Sequence, residues 1–131
     1  YIEAYKWFYL ASLDEQPLAQ RNLKNITDKL TASEIEVAKS SAKKWLNDNA
    51  ILGEPYSQFH LGKLFKHEGN NIEALKWIII AEKYFSSFSG MFPDIDKDVK
   101  KELHLLMLQM TSGQIEIATN EAAKITKIYK Q

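Results

Sequence analysis

Apolar residues in positions 58–81 fall at helical spacing on both sides of one tight turn, and the rest of the chain reuses the parts of this stretch. Phe59, Gly62 and Phe65 recur every three residues, and Leu61 and Leu64 widen the stripe, which predicts a helix with one apolar face. Pro55 suits a first helical turn, where the missing N–H has no partner to lose. Gly69-Asn70-Asn71 ends the helix, because Gly and Asn accept the left-handed backbone of a helix stop. A second helix starts near Ile72 and runs through Ala74, Trp77, Ile78 and Ala81. Its run from Trp77 to Ala81 is apolar on every side, so it is expected to be covered on more than one face. Gly62, Ala74 and Ala81 are the small residues that let two helices cross at about 8–10 Å.

The pattern is duplicated. Ile2-Glu3-Ala4, Lys6-Trp7 and Ala11 match Ile72-Glu73-Ala74, Lys76-Trp77 and Ala81 at an offset of 70. At an offset of 80, Ala19, Leu23, Ile26 and Leu30 match Val99, Leu103, Leu106 and Met110, and Ile35, Ala38, Ala42 and Trp45 match Ile115, Ala118, Ala122 and Ile125. Between these stripes stand Thr31-Ala32-Ser33-Glu34 and Thr111-Ser112-Gly113-Gln114. Each reads as a capping box, in which hydroxyl and acid or amide satisfy the first N–H groups of a helix. A unit of about 70–80 residues with roughly four helices is the period of a solenoid. The first copy starts inside its motif, with no helix ahead of Ile2, so the chain reads as a fragment of a longer repeat protein.

Seven helices are expected, at 1–13, 17–30, 32–47, 55–68, 71–87, 94–110 and 112–129, with turns at 14–17 and 48–54. No stretch alternates long enough to be a strand. The expected fold is therefore all-α, an α-α superhelix. It is one solenoid fragment whose first repeat half spans 1–48 and whose second spans 49–131, with extra residues at 84–97.

The hairpin resembles the Sel-one-like repeat, a relative of the tetratricopeptide repeat. Ser57-Gln58-Phe59-His60-Leu61-Gly62 with Phe65 is similar to that family's first-helix motif, and Glu73-Ala74-Leu75-Lys76-Trp77 with Ala81 to its second. The spacing of Leu61, Gly62, Phe65, Gly69, Ala74 and Ala81 has tetratricopeptide length, shorter than the usual Sel-one-like loop. Positions 30–45 also resemble the segment that closes Sel-one-like arrays. The resemblance implies a right-handed solenoid of helical hairpins in which Ala4, Trp7, Ala11, Gly62, Phe65, Ala74, Trp77 and Ala81 are structural. It also implies a non-catalytic, bacterial protein-interaction scaffold whose first hairpin helix lines a groove. Carried onto this chain, Tyr56, His60, Lys63, Lys66 and His67 face a protein or peptide partner, with Phe59 shared with the core. The family's carboxylate clamp is not reproduced, because Lys63 stands where an Asn is expected.

Composition narrows the chemistry. Seventeen basic and 17 acidic residues cancel, so no net field draws the chain to nucleic acid or an anionic membrane. No apolar run approaches the ~20 residues that cross a bilayer. The absence of cysteine excludes disulfides and thiolate chemistry but identifies no compartment. Asp94-Ile95-Asp96-Lys97-Asp98 opens like a calcium loop, yet Val99 and Leu105 stand where Gly and Glu are required, so an acidic first helical turn is the expectation. His60 and His67 lie two helical turns apart, about 10 Å, too far to share a zinc ion, and His104 stands alone. Ser86, Ser87 and Ser89 have no nucleophile elbow around them, and Glu3 and Glu73 occupy matching repeat positions instead of forming a catalytic pair. No phosphate-binding Gly motif appears. No enzyme, metal or cofactor is expected.

Two surfaces remain as candidates. The first is the groove just named, whose lysines suit an acidic peptide or carboxylate. The Lys97, Lys100 and Lys101 cluster reads as a solvated face. The second is Phe85, Phe88, Met91 and Phe92, either cover for the end of the solenoid or, if exposed, an apolar partner patch. The leading expectation is an interaction scaffold. The alternatives are an end-cap of a larger array without its own site, or an immunity or regulatory protein that binds and inhibits an enzyme. Helix 1–13, open on one edge, offers a route to a homodimer.

Overall fold

The computed structural model describes residues 1–14, 16–88 and 90–129; Ser89, one of the serines weighed above, lies outside them. Among the described residues there are seven α-helices and no strand: α1 (Ile2–Ser12), α2 (Pro17–Thr27), α3 (Ala32–Ile51), α4 (Pro55–His67), α5 (Asn71–Ser87), α6 (Pro93–Met107) and α7 (Ser112–Tyr129). The all-α expectation is met. The chain divides into two compact units, Tyr1–Asp48 and Asn49–Gln131.

In the second unit α5 is the central helix, packed against α4, α6 and α7. That explains why its apolar residues do not keep to one face: Leu75, Trp77, Ile78 and Ile80 are all buried. The core joins Phe59 of α4, Ile78 and Phe85 of α5, Val99 and Leu106 of α6, and Ala118 of α7. The α4–α5 turn is made by two residues. Gly69 takes φ 83°, which a side chain would resist. The Gly69 N–H donates to the Lys66 carbonyl at 3.0 Å and the Asn70 N–H to the Phe65 carbonyl at 2.9 Å, the paired bonds of a Schellman stop. Asn70 then starts the next helix, its Oδ1 accepting from the Glu73 N–H at 3.3 Å. The close crossing is equally concrete. A Cβ on Gly62 would stand 2.6 Å from Ile78 Cγ1 and 3.1 Å from the Ala74 carbonyl oxygen, so only glycine fits without a shift.

In the first unit α1 packs against α2. Tyr5, Tyr9 and Leu10 are buried, and Trp7 meets Trp45 of α3 edge-on with ring centroids 5.4 Å apart. Burial holds the Tyr5 hydroxyl above the usual tyrosine range, with the Glu36 charge adding to the effect.

The matched stripes behave alike in the two units. Ala19 and Val99, Ile26 and Leu106, Ala38 and Ala118, and Ala42 and Ala122 are all buried. Both capping boxes close reciprocally. The Thr31 N–H reaches Glu34 Oε1 at 2.9 Å and the Glu34 N–H reaches Thr31 Oγ1 at 3.1 Å. In the second box the Thr111 and Gln114 N–H groups make the corresponding bonds at 3.0 and 3.2 Å.

Helix ends differ from the expectation in three places. α2 stops at Thr27, not 30, and α6 at Met107, not 110, because the chain tightens ahead of each capping box. Lys29 and Leu30 donate to Ile26 and Thr27, and Gln109 and Met110 donate to Leu106 and Met107, each three residues back. α3 continues to Ile51, through the turn expected from 48. Asp48 and Asn49 have turn-forming side chains but no need for one here, since Lys44 holds Asp48 at 2.8 Å one turn back along the helix. Gly53 ends the helix instead, with φ 94° and its N–H on the Ala50 carbonyl.

Candidate functional site

Helix α4 is held at its start by Glu54, whose carboxylate accepts from the Tyr56 and Ser57 N–H groups, with Pro55 in the first turn. From there Tyr56, His60, Lys63 and His67 recur at intervals of four, three and four, which aligns them on one face. His60 is tied locally, its Nδ1 2.7 Å from the Tyr56 carbonyl oxygen. The Lys63 ammonium lies 4.4 Å over the centroid of the buried Phe59 ring, a cation–π contact. His67 is exposed in the last turn. Lys66 is set apart from these four. Its ammonium pairs with Glu102 of α6 at 2.8 Å, with both side chains largely covered, so it ties α4 to α6.

Of Phe85, Phe88, Met91 and Phe92, at and beyond the end of α5, Phe85 is core, 1% exposed, and Phe92 is half-buried against it. Phe88 and Met91 remain on the surface, 43% and 68% exposed. Phe85 also joins the two candidate surfaces. Tyr56 meets it at 5.2 Å on one side, and Tyr84 at 5.5 Å and Phe92 at 5.8 Å on the other. Tyr84 continues to Phe88 at 4.9 Å. Tyr56, Tyr84, Phe88 and Met91 are each exposed, and the first three are linked through the rings around Phe85.

The repeat-structural residues separate by unit. Ala74, Trp77 and Ala81 are buried, Gly62 is buried against α5, and Phe65 is half-buried beside the core. Ala4 and Ala11 are only half-buried, and Trp7 is 47% exposed. Lysines sit over both tryptophans alike, Lys6 at 4.7 Å and Lys76 at 5.1 Å.

The acidic run 94–98 opens α6, with Asp94 and Asp96 in the first turn. Asp96 holds Lys100 at 2.9 Å, and that hydrogen bond raises the lysine's pKa. Among the described residues no three His, Asp or Glu side chains come together as a metal site would require. Nor is any helix of the described residues long and apolar enough to cross a membrane.

A polar cluster escaped the sequence reading. Gln58 sits within an apolar stripe and is only 2% exposed. Its Nε2 donates to the Ala50 carbonyl at 3.1 Å, and the Tyr129 hydroxyl donates to Ala50 and Ile51 at 2.7 and 3.0 Å. These bonds satisfy carbonyls that the end of α3 leaves without helical partners. Burial pushes the Tyr129 hydroxyl above the usual tyrosine range, against a hydrogen bond with Gln58 that lowers it. An amide within a hydrophobic stripe was the one available signal. Tyr129 lies 79 residues from Ala50, and no local pattern announces that contact.

Comparison of the chain with known protein families, characterised proteins and solved structures finds no match.

Proposed function

We propose that this chain is a non-catalytic protein-interaction scaffold of the Sel-one-like and tetratricopeptide-like kind, in which stacked helical hairpins form a right-handed solenoid. The binding surface is the outer face of α4, with Tyr56, His60, Lys63 and His67, continued by Tyr84, Phe88 and Met91. The observation that carries this reading is that exposed Tyr56 of α4 and exposed Tyr84 of α5 both pack on the buried Phe85 ring, which brings the two stretches close. Exposed aromatic and methionine side chains are enriched at interface centres, and the Lys63 ammonium beside them favours an acidic protein or peptide segment. Lys66 contributes by holding the surface in place through Glu102.

The test is affinity capture from lysate of the source cell with the native chain, a Lys63→Glu, His67→Glu variant and a Phe88→Ser, Met91→Ser variant. One partner held by the native chain and lost by both variants is the expected result. A partner retained by both would place binding elsewhere.

A further inference from the structure

Within the second unit, the turn after α3 and helices α4, α5 and α7 line an open cleft of about 540 Å³, inside the range of small-molecule sites. Leu52, Ile80 and the rings of Tyr84 and Tyr129 supply its apolar lining. The polar lining is mostly occupied by the protein itself. Gln58 and Tyr129 donate to the carbonyls at the end of α3. The Ser87 hydroxyl donates to the Tyr84 carbonyl at 2.7 Å and the Thr126 hydroxyl to the Ala122 carbonyl at 2.8 Å. Both hydroxyls therefore keep only lone pairs to offer. The exception among the described residues is Lys83, the one charged residue of that lining, exposed and with no ion pair or hydrogen bond.

We infer that this cleft binds a small organic carboxylate with an aromatic or branched aliphatic body. The Lys83 ammonium takes the carboxylate, and the body lies against Leu52, Ile80 and the tyrosine rings. The charge balance selects the class. One ammonium matches one monoanionic group, whereas a phosphate monoester calls for more positive charge than the described lining holds. A cationic ligand would meet the lysine as a like charge, and a neutral one would gain no charge-assisted bond from it. This site shares Tyr84 with the proposed partner surface but does not depend on the scaffold reading.

The experiment is an amide-resolved NMR titration of the full chain with phenylacetate and 3-methylbutanoate, with phenylacetamide as the neutral isostere of the first. At least one acid is expected to saturate with a Kd below about 1 mM. The shifts should centre on Gly53, Lys83, Tyr84 and Ser87. Removing the ligand's charge (phenylacetamide), or the protein's (Lys83→Gln), is expected to weaken binding about tenfold, the scale of one charge-assisted hydrogen bond. Lys83 is exposed, so the free variant should keep the native spectrum away from position 83. A Ser87→Phe variant, which fills the cleft from another exposed position, should abolish the shifts. Equal binding of acid and amide, shifts centred on α4's outer face, or no saturable shift with either acid would each overturn the assignment.

Discussion

Helices α1 and α5 carry the same cassette of Glu, Ala, Lys, Trp and Ala, yet their tryptophans lead different lives. Trp77 is 4% exposed and Trp7 is 47% exposed. Each has its lysine over the ring, so the local helix is the same in both places. The neighbours differ. α5 carries α4 against it, fitted by the absence of a side chain at Gly62, and Ala74, Ile78 and Ala81 are sealed off completely. In α1 the matching Ala4, Phe8 and Ala11 are only half-buried. The cassette thus specifies a helix face fit for a partner helix, and the partner decides whether that face becomes core. The proposed repeat reading expects this, since repeat units bury their apolar surface against neighbours.

The largest effect should separate the two tryptophans. Trp77→Ala removes a buried ring and is expected to cost about 3–5 kcal/mol in urea unfolding, while Trp7→Ala should cost less than half as much. Equal losses would mean that the exposed ring of α1 is no less integrated than the buried one. Next comes the crossing. Gly62→Ala should destabilise by about 1–3 kcal/mol despite alanine's better helix propensity, because its methyl meets Ile78. In an Ile78→Ala background the same change should cost less, leaving only the tight approach to the Ala74 carbonyl, a coupling that a double-mutant cycle reads directly. A penalty unchanged by the second substitution would contradict close approach as its cause.

The smallest effect distinguishes the two capping boxes. Thr111→Ala should cost about 1 kcal/mol, with Thr31→Ala similar at neutral pH. Only the first box contains an ionisable group. The backbone hydrogen bond from Thr31, with that of its hydroxyl behind it, lowers the Glu34 pKa from 4.5. A depressed carboxyl pKa stabilises the fold above its unfolded value, and that contribution is lost as pH falls through the folded value. Acid should therefore speed hydrogen exchange at the start of α3, corrected for intrinsic rates, and leave the start of α7 as it was, since Gln114 does not titrate. Equal loosening of both starts would rule out Glu34 as the source.

Much of this architecture was readable because its signals are local. Helical spacing, Gly69-Asn70, the two capping boxes and the small residues at the crossing each act within a turn or two of where they stand. The matched offsets predicted equivalent burial for Ala38 and Ala118, and the structure places both at 0% exposure. Helix ends were less legible. Asp48 and Asn49 have turn chemistry, but the helix stops only where Gly53 permits a positive φ. The candidate surface was legible in its residues and not in its connections. Nothing in the sequence announces that Lys66 belongs to Glu102, or that Phe85 lies inside and links Tyr56 to Tyr84, because those contacts join separate helices. The cleft around Tyr129 was invisible for the same reason.

The central claim is that the α4 face and its aromatic continuation take a protein partner. Photo-crosslinking tests it most directly, with a photoreactive residue placed singly at His67, at Met91 and, as a control on α7, at Glu116. The account predicts one shared partner crosslinked from His67 and Met91 and not from Glu116. Crosslinking from Glu116 alone, or of unrelated proteins from the two proposed positions, would contradict it.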